Sequence, residues 1–486
     1  MKERLRTPKK ISENIKIRLI YSLSSMQTNI LYFKKTTAKS LPLVGARLLH
    51  AATDFINMII IAKLGLDSLA AGSLIASTSA TIFLMSWAML FPVAVVVAYA
   101  KGHARCHVFR CELSSQFTTQ DMAPIEIGKI LKSGCILALI VGLGASIIMW
   151  NANYILSMFH QPQNLIALAT PYFHILALAM IPSALCVCFN EFAIGILKTH
   201  LVIIWRIINT PLTLFLSYGL VLGKFGLPKI GITGAALGYT ITYWGLAIGI
   251  FVYFSCARNY REYCFYRARS TYAYLKQLFI IGWPISIQLG AIITSYTILT
   301  YMMGWFGKTA LAANQIIGQC ATIVAMIPYG ISQASSAIVA QTFGANKKMT
   351  KAAGFSGIYL GGIIVVLIAI IYWTIPKPLI SIYLNIHDVN NIAIISLATL
   401  FLYINGFNQI VDALSVSTLG ALRGLSDTKI PMFINIASSW LTSIPVGYIL
   451  AFKLEAGAAG LYLGFALGST LNAILLIRRF KRNSKF

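Results

Sequence analysis

The chain has 486 residues, of which 58% are hydrophobic and 11% are charged. Soluble domains average roughly 45–50% apolar and about 25% charged residues, so this composition excludes a water-soluble enzyme. The net charge of +26 comes from 39 basic and 13 acidic residues. In a membrane protein this excess predicts basic cytoplasmic loops and needs no nucleic acid to explain it.

The first forty residues mix lysine and arginine with polar residues before any long apolar run. This pattern lacks the apolar core of a cleavable signal and predicts a basic cytoplasmic segment. Within it, residues 19–33 are apolar but are interrupted by serine, threonine and asparagine. We expect this stretch to lie on the membrane surface without spanning it.

From residue 41 onward, apolar runs long enough to cross a bilayer follow one another almost to the end of the chain. They predict twelve transmembrane helices at 41–61, 72–99, 130–150, 168–194, 201–223, 232–255, 278–303, 312–338, 352–375, 393–421, 430–451 and 459–478. Barrel strands would alternate over about ten residues, so the predicted class is an all-α polytopic membrane protein.

An even number of crossings places both basic termini on one side of the membrane. Most of the basic loop residues fall on that same side. The other side receives only Lys63, Lys224, Lys229, Lys308, Lys377 and Lys453. The asymmetry predicts that both termini are cytoplasmic. The run 258–269 interleaves bases with aromatic residues, which could bind RNA, but anchoring at lipid headgroups is the favoured interpretation.

An internal repeat appears when the chain is compared with itself. At an offset of 242 residues Pro42 meets Pro284 and Gly65 meets Gly307, and at an offset of 226 residues Gly231 meets Gly457. The repeat predicts two pseudo-symmetric six-helix lobes with the same orientation, as in parallel-repeat transporters. The predicted parts are a basic segment 1–40, an N-lobe 41–255, a cytoplasmic linker 256–273, a C-lobe 274–478 and a basic tail 479–486.

Three acidic residues, Asp54, Glu191 and Asp412, fall inside predicted transmembrane helices. A charge at membrane depth costs about 3 kcal/mol or more, so each is a candidate functional residue. Glu191 is expected to form a structural ion pair with Lys198 near a helix end. Asp412 shares one helical face with other polar residues, Asn405, Asn408 and Ser415. It could bind a proton, a sodium ion or an organic cation, or it could form a static hydrogen bond between helices.

A second polar stripe lies on the first predicted helix, where Arg47, His50, Asp54 and Asn57 share one face. Arg47 and Asp54 with His50 between them could relay protons, or they could form a static salt bridge. A His–Asp acyltransferase would need a nucleophile and its own spacing, so no enzyme activity is predicted. The eight cysteines show no metal-ligand spacing, and neither a metal nor a cofactor is expected.

Several motifs carry a resemblance to a known family. They are Gly282-Trp-Pro284, Ala312-Ala-Asn314-Gln315, Ala340-Gln-x-x-Gly344-Ala, Asp412-Ala followed by Gly420-Ala-Leu-Arg423-Gly, and Lys224-Phe-Gly226. Over roughly residues 40–480 the sequence resembles the multidrug and toxic compound extrusion family of cation-coupled antiporters. The resemblance implies twelve helices in two lobes, a V-shaped central cleft, and export of lipophilic cations against inward proton or sodium flow.

The resemblance also implies roles for residues. Asp412 matches the family's coupling carboxylate on the tenth helix, whereas Asn57 stands where many members have a first-helix aspartate. Asp54, one turn earlier, is a possible replacement. The seventh-helix glutamate of some members aligns with Ile292, and Asn408 stands in place of a tyrosine. The predicted ion-coupling residues are Asp412, Asp54 and His50, and the predicted substrate cavity is lined by Arg47, Asn57, Gln288, Asn314, Gln315, Asn405 and Asn408.

These features predict a secondary antiporter that exports amphipathic, cationic small molecules in exchange for protons or sodium by alternating access. The expected location is a bacterial inner membrane, and the expected form is a monomer. Two alternatives stay open. The first is a lipid-linked oligosaccharide flippase of the same superfamily, in which Arg47 would bind pyrophosphate. The second is a membrane receptor or scaffold that does not transport.

Overall fold

The protein is described by a computed structural model that is almost entirely helical. The structure describes residues 8–111, 122–158, 162–257, 260, 263, 271–384, 388 and 391–484, and the basic run 258–269 therefore lies largely outside the described residues. The α-helices are α1 (Pro8–Ala62), α2 (Leu66–Ala88), α3 (Pro92–Cys111), α4 (Met122–Trp150), α5 (Ala152–Met158), α6 (Gln163–Gly195), α7 (His200–Leu222), α8 (Ile232–Cys256), α9 (Tyr272–Gly304), α10 (Lys308–Ala345), α11 (Thr350–Thr374), α12 (Pro376–Ser381), α13 (Ile392–Gly424), α14 (Lys429–Ile436), α15 (Ile444–Tyr448) and α16 (Gly457–Asn483).

Among the described residues, twelve stretches are long and apolar enough to cross a membrane. They are Gln27–Ala62, Ala71–Ala104, Pro124–Trp150, Gln163–Gly195, His200–Leu222, Ile232–Cys256, Tyr272–Gly304, Lys308–Ala345, Lys347–Thr374, Ile392–Gly424, Lys429–Lys453 and Gly457–Asn483. Each predicted span lies within one of these or exceeds it by one residue, so the all-α polytopic class is confirmed. The eleventh span contains two π-helical segments, Ala437–Ser443 and Ile449–Lys453.

The amino-terminal region forms one helix with the first predicted span. The stretch 19–33, which was expected to lie on the membrane surface, is part of the continuous helix α1. Polar side chains in its continuation find partners in the bundle, because the hydroxyl groups of Thr36 and Ser356 lie 2.8 Å apart. A polar residue in a membrane helix can therefore be accommodated by a second helix, which the local sequence does not reveal.

The repeat is visible in the backbone. Gly65 and Gly307 precede α2 and α10, and both have positive φ angles, 114° and 91°. A residue with a side chain rarely adopts this conformation, so both halves of the chain keep a glycine at the same turn.

The two lobes meet at the face of the bundle where α1 enters and α16 ends, which we call the terminus face. One hydrophobic cluster there combines residues of both halves, including Leu43 and Ala98 with Ala337 and Phe480. The helices approach closely at small residues. A Cβ atom built on Gly330 would lie 2.7 Å from the side chain of Val44. Backbones can therefore pack directly across the lobe boundary.

Candidate functional site

Hydrogen bonds between the lobes are found toward the terminus face. Lys35 on α1 donates to Gln341 on α10 at 3.3 Å, and Ser286 on α9 donates to the carbonyl of Met85 on α2 at 2.9 Å. The structure also contains two acidic sites, one in each lobe, whose described partners belong to the same lobe as the acid. The molecule is thus closed at one face and carries its two acids beyond the closure.

The N-lobe site is built around Asp54, whose side chain is 56% exposed. The hydroxyl of Tyr239, on α8, donates to its carboxylate at 2.7 Å. His50, one turn earlier on α1, places Nδ1 3.8 Å from the same carboxylate. Asn57 donates to the Tyr239 oxygen at 3.0 Å. The predicted helical face therefore does bring three of its members together, around a tyrosine from another helix.

Arg47, the fourth member of the stripe, does not join Asp54 as the proton-relay hypothesis requires. Its guanidinium turns toward the C-lobe, where Nη2 donates to the side-chain oxygen of Gln333 on α10 at 3.1 Å. Arg47 precedes Asp54 by two helical turns, about 10 Å along α1, which lets the two side chains take part in separate sites.

The C-lobe site is built around Asp412 on α13, which is partly buried. The hydroxyl of Tyr296, on α9, donates to its carboxylate at 3.3 Å, and Asn408 donates from one turn earlier at 3.4 Å. The hydroxyl of Ser469, on α16, lies beside this carboxylate. The bonds from Tyr296 and Asn408 are long compared with a typical charge-assisted bond, so the carboxylate is held loosely.

The other predicted cavity residues are dispersed. Asn314 is buried and accepts a hydrogen bond from Tyr462 at 2.8 Å. Gln315, beside it, is exposed. Gln288 and Asn405 are both buried, and a side-chain nitrogen of each has no hydrogen-bond partner. Such unpaired groups are costly inside a protein unless a water or a ligand satisfies them.

A third polar group lies between the lobes and is separate from the two acidic sites. We call it the interlobe cluster, and it consists of Arg47, Glu191, Tyr329, Gln333 and Arg423. With Phe91, Val95, Ile285 and Ser336 these residues line a cavity of about 20 Å³, room for about one water molecule. Glu191 is 2% exposed and accepts a hydrogen bond from the amide of Gln333.

The expected ion pair of Glu191 with Lys198 is therefore wrong. Both residues lie near the end of α6, but the lysine ammonium sits 4.5 Å from the ring centre of Tyr260, in a cation–π contact. Glu191 instead points across the lobe boundary to α10. The helix α6 ends at Gly195 and Leu197 has a positive φ angle of 60°, so the chain turns before Lys198 and helical spacing no longer relates the two residues.

The sequence analysis missed the two tyrosines that contact the acids, Tyr239 and Tyr296. One signal was available. At the repeat offset of 242 residues, Asp54 corresponds to position 296, so the repeat pairs an acid in one lobe with a tyrosine in the other. Gln333, on α10, had no such signal, because a single glutamine in a membrane helix does not indicate which helix it faces.

The chemistry of the two acidic sites follows from their ligands. Each carboxylate is hydrogen-bonded by a phenol and remains accessible, so each can accept a proton or contact a cation. The C-lobe site adds amide and hydroxyl groups, which are the oxygen donors that a hard cation such as sodium requires. The N-lobe site adds a histidine, which can carry protons.

Comparison with known proteins gives concordant results. The MatE family model matches residues 123–219 and 284–449. The chain is 31% identical over 447 residues to the multidrug resistance protein NorM of Burkholderia vietnamiensis, covering 92% of this chain and 93% of that protein. It is 27% identical over 445 residues to the probable multidrug resistance protein NorM of Brucella suis, covering 91% of each.

Solved structures share the fold. The Vibrio cholerae MATE transporter VcmN in its bent form gives a TM-score of 0.80 at 14% identity, covering 94% of this chain and 98% of that one. The eukaryotic MATE transporter AtDTX14 gives a TM-score of 0.77 at 18% identity, covering 93% and 98% of the two chains. At this identity the likeness concerns the arrangement of helices, and the roles of individual residues must be argued from their own contacts.

Proposed function

The chain belongs to the MatE family of transporters, and from this premise we propose that it is a secondary antiporter. It exports amphipathic cationic molecules in exchange for protons or sodium ions by alternating access. The proposal rests mainly on one observation: Asp412 is an accessible carboxylate at membrane depth, and its hydrogen bonds to Tyr296 and Asn408 are long, 3.3 and 3.4 Å. A loosely held acid can exchange these partners for an ion or a substrate.

Antiport requires that ion and substrate favour different states of the protein. A proton or sodium ion on Asp412 neutralises the charge that would attract a cationic substrate. Loading the ion therefore weakens substrate binding, and releasing the ion strengthens it. The Asp54 group of the N-lobe would act as a second, auxiliary site, because His50 and Tyr239 already partner its carboxylate.

The orientation is part of the proposal. Loops on the terminus face are the basic ones, and the positive-inside rule places that face in the cytoplasm. The closure between the lobes is then cytoplasmic, and both acids lie toward the outside. We place the protein in a bacterial inner membrane, in keeping with the bacterial relatives. We propose the monomer as the working form.

The test is transport in proteoliposomes with a panel of lipophilic cationic dyes. A proton gradient and a sodium gradient are imposed separately, for the wild-type protein, for Asp412→Asn and for Asp427→Asn. Asp427 is a matched control, since its carboxylate is paired with Arg479 in the same lobe. Dye movement driven by one gradient, lost in Asp412→Asn and kept in Asp427→Asn, is expected. Full export by Asp412→Asn would contradict the assignment.

The flippase alternative is less well supported. It needs a cationic group free to bind pyrophosphate, but Arg47 donates to Gln333 and its guanidinium lies 5.8 Å from the ring centre of Tyr329. The adjoining cavity of about 20 Å³ has room for about one water molecule. The relatives named as multidrug resistance proteins also favour export of small molecules over a receptor or scaffold.

A further inference from the structure

The interlobe cluster is separate from the two acidic sites and is arranged differently. In it, one neutral side chain of the C-lobe is held from both ends by charged side chains of the N-lobe. The oxygen of Gln333 accepts from Arg47 at 3.1 Å, and its nitrogen donates to Glu191. A primary amide is suited to this position because it offers an acceptor and a donor at the same time.

The aromatic contacts of the cluster cross the lobe boundary in both directions. Arg47 of the N-lobe lies 5.8 Å from the ring centre of Tyr329 in the C-lobe, and Arg423 of the C-lobe lies 5.9 Å from the ring centre of Phe91 in the N-lobe. Each lobe therefore presents an arginine to an aromatic ring of the other. Such contacts hold only while the lobes are together.

We propose that Gln333 is the gate residue of the terminus face, and that its bonds to Arg47 and Glu191 set the balance between the closed and open arrangements of the lobes. Opening withdraws the amide together with the C-lobe. Arg47 and Glu191 remain on the N-lobe with opposite charges, so they can then pair directly. The carboxylate is therefore compensated in both states, which avoids the cost of an isolated buried charge.

The proposal depends on the alternating access proposed above, but its test needs neither a substrate nor an ion gradient. In a cysteine-free background, His200→Cys on the N-lobe and Lys348→Cys on the C-lobe place spin labels at exposed positions on the terminus face. Lys224→Cys and Lys453→Cys do the same at the opposite face. Distances between each pair are measured by double electron–electron resonance in lipid nanodiscs.

Gln333→Leu removes both hydrogen bonds at similar volume. We expect it to raise the ratio of open to closed molecules at the terminus face by about tenfold, and to shorten the distance between the labels at the opposite face. The loss of a hydrogen bond to a charged group changes an equilibrium constant by about this factor. Glu191→Gln keeps an acceptor without the charge and should shift the ratio in the same direction by about threefold.

Gln409→Leu is the matched control, because this glutamine is also buried on a C-lobe helix but donates to the carbonyl of Ala321 within the same lobe. It should leave both distances unchanged. Unchanged distances in Gln333→Leu, or an equal change in Gln409→Leu, would overturn the proposal. If Gln333→Leu does not fold, Glu191→Gln decides alone, and wild-type distances in that variant would overturn it. If the wild-type protein moves no dye while Gln333→Leu shows the expected distance shift, the result would count against the proposed substrate or ion and not against the gate.

Discussion

Each lobe holds its acid with a phenol from another helix, and one member of each pair lies at the same position of the repeat. In the N-lobe the acid is on α1, at Asp54, and the phenol comes from Tyr239 on α8. In the C-lobe the phenol is at the repeat-equivalent position 296, on α9, and the acid comes from Asp412 on α13. The repeat thus relates Asp54 to Tyr296 but not the other two members, because Tyr239 corresponds to Phe465 on α16 at the offset of 226 residues.

The bonds differ in length as well. The phenol lies 2.7 Å from the N-lobe carboxylate and 3.3 Å from the C-lobe carboxylate. The N-lobe acid also has a histidine nitrogen at 3.8 Å, which is a cationic partner when the ring is protonated. A firmly partnered acid stabilises its own lobe, whereas a loosely held acid is available to a transported ion. The comparison shows that the availability of a carboxylate at membrane depth to a transported ion depends on how strongly its present partners hold it.

The largest expected effect separates the two acids. Asp412→Asn should reduce coupled dye efflux to the level of empty liposomes, because it removes the available charge. Asp54→Asn should reduce the initial rate by only about threefold to tenfold, since the N-lobe acid is auxiliary. Initial rates are compared at equal amounts of folded protein in the liposomes. An equal loss in both variants would mean that the acids act as one unit.

Substitution of the two phenols should have a smaller effect on transport, and here the N-lobe variant should be affected more than the C-lobe variant. Tyr239→Phe removes a short bond to the auxiliary carboxylate and should lower the transport rate by about threefold, no more than Asp54→Asn does, whereas Tyr296→Phe removes a long bond and should lower it by less than about twofold. Both substitutions keep the ring, so packing is retained. Efflux rates over a range of dye concentrations are the measurement, and the reverse ranking would contradict the importance given to bond length.

The smallest effect concerns a third carboxylate, Asp427, which lies in the C-lobe at the terminus face. Arg479 donates to it through two nitrogens at 2.6 and 2.9 Å, and Asn483 donates at 2.8 Å. Asp427→Asn should lower the free energy of unfolding by about 1–2 kcal/mol and leave transport unchanged. Thermal unfolding in detergent tests the first part. A loss of efflux without a loss of stability would show that this acid also takes part in transport.

Much of the fold could be predicted because hydropathy and repetition are local or periodic signals. The twelve spans agreed with the apolar runs, and the glycines of the repeat occupy equivalent turns, Gly65 and Gly307. The continuity of α1 through the polar residues before the first span was not predicted, because these residues find partners on neighbouring helices. Thr36, paired with Ser356 across 320 residues of sequence, is an example.

The sites could be predicted only along single helices. Helical spacing placed His50 with Asp54 and Asn408 with Asp412, and both pairs are in contact. It could not place Tyr239, which reaches Asp54 across 185 residues of sequence. The partner of Glu191, 142 residues away, was missed for the same reason. Which helices adjoin is a property of the packed bundle, and one sequence does not report it.

The close approach of the helices at the terminus face bears on how this protein can change under selection by toxic compounds. A side-chain atom on Gly330 would lie 2.7 Å from Val44, and one on Gly344 would lie 2.5 Å from the carbonyl oxygen of Tyr99. A larger residue at either glycine would force the two lobes apart, whatever compound is exported. Resistance to new compounds should therefore arise by substitutions around the acids, and lineages under drug pressure should keep both glycines.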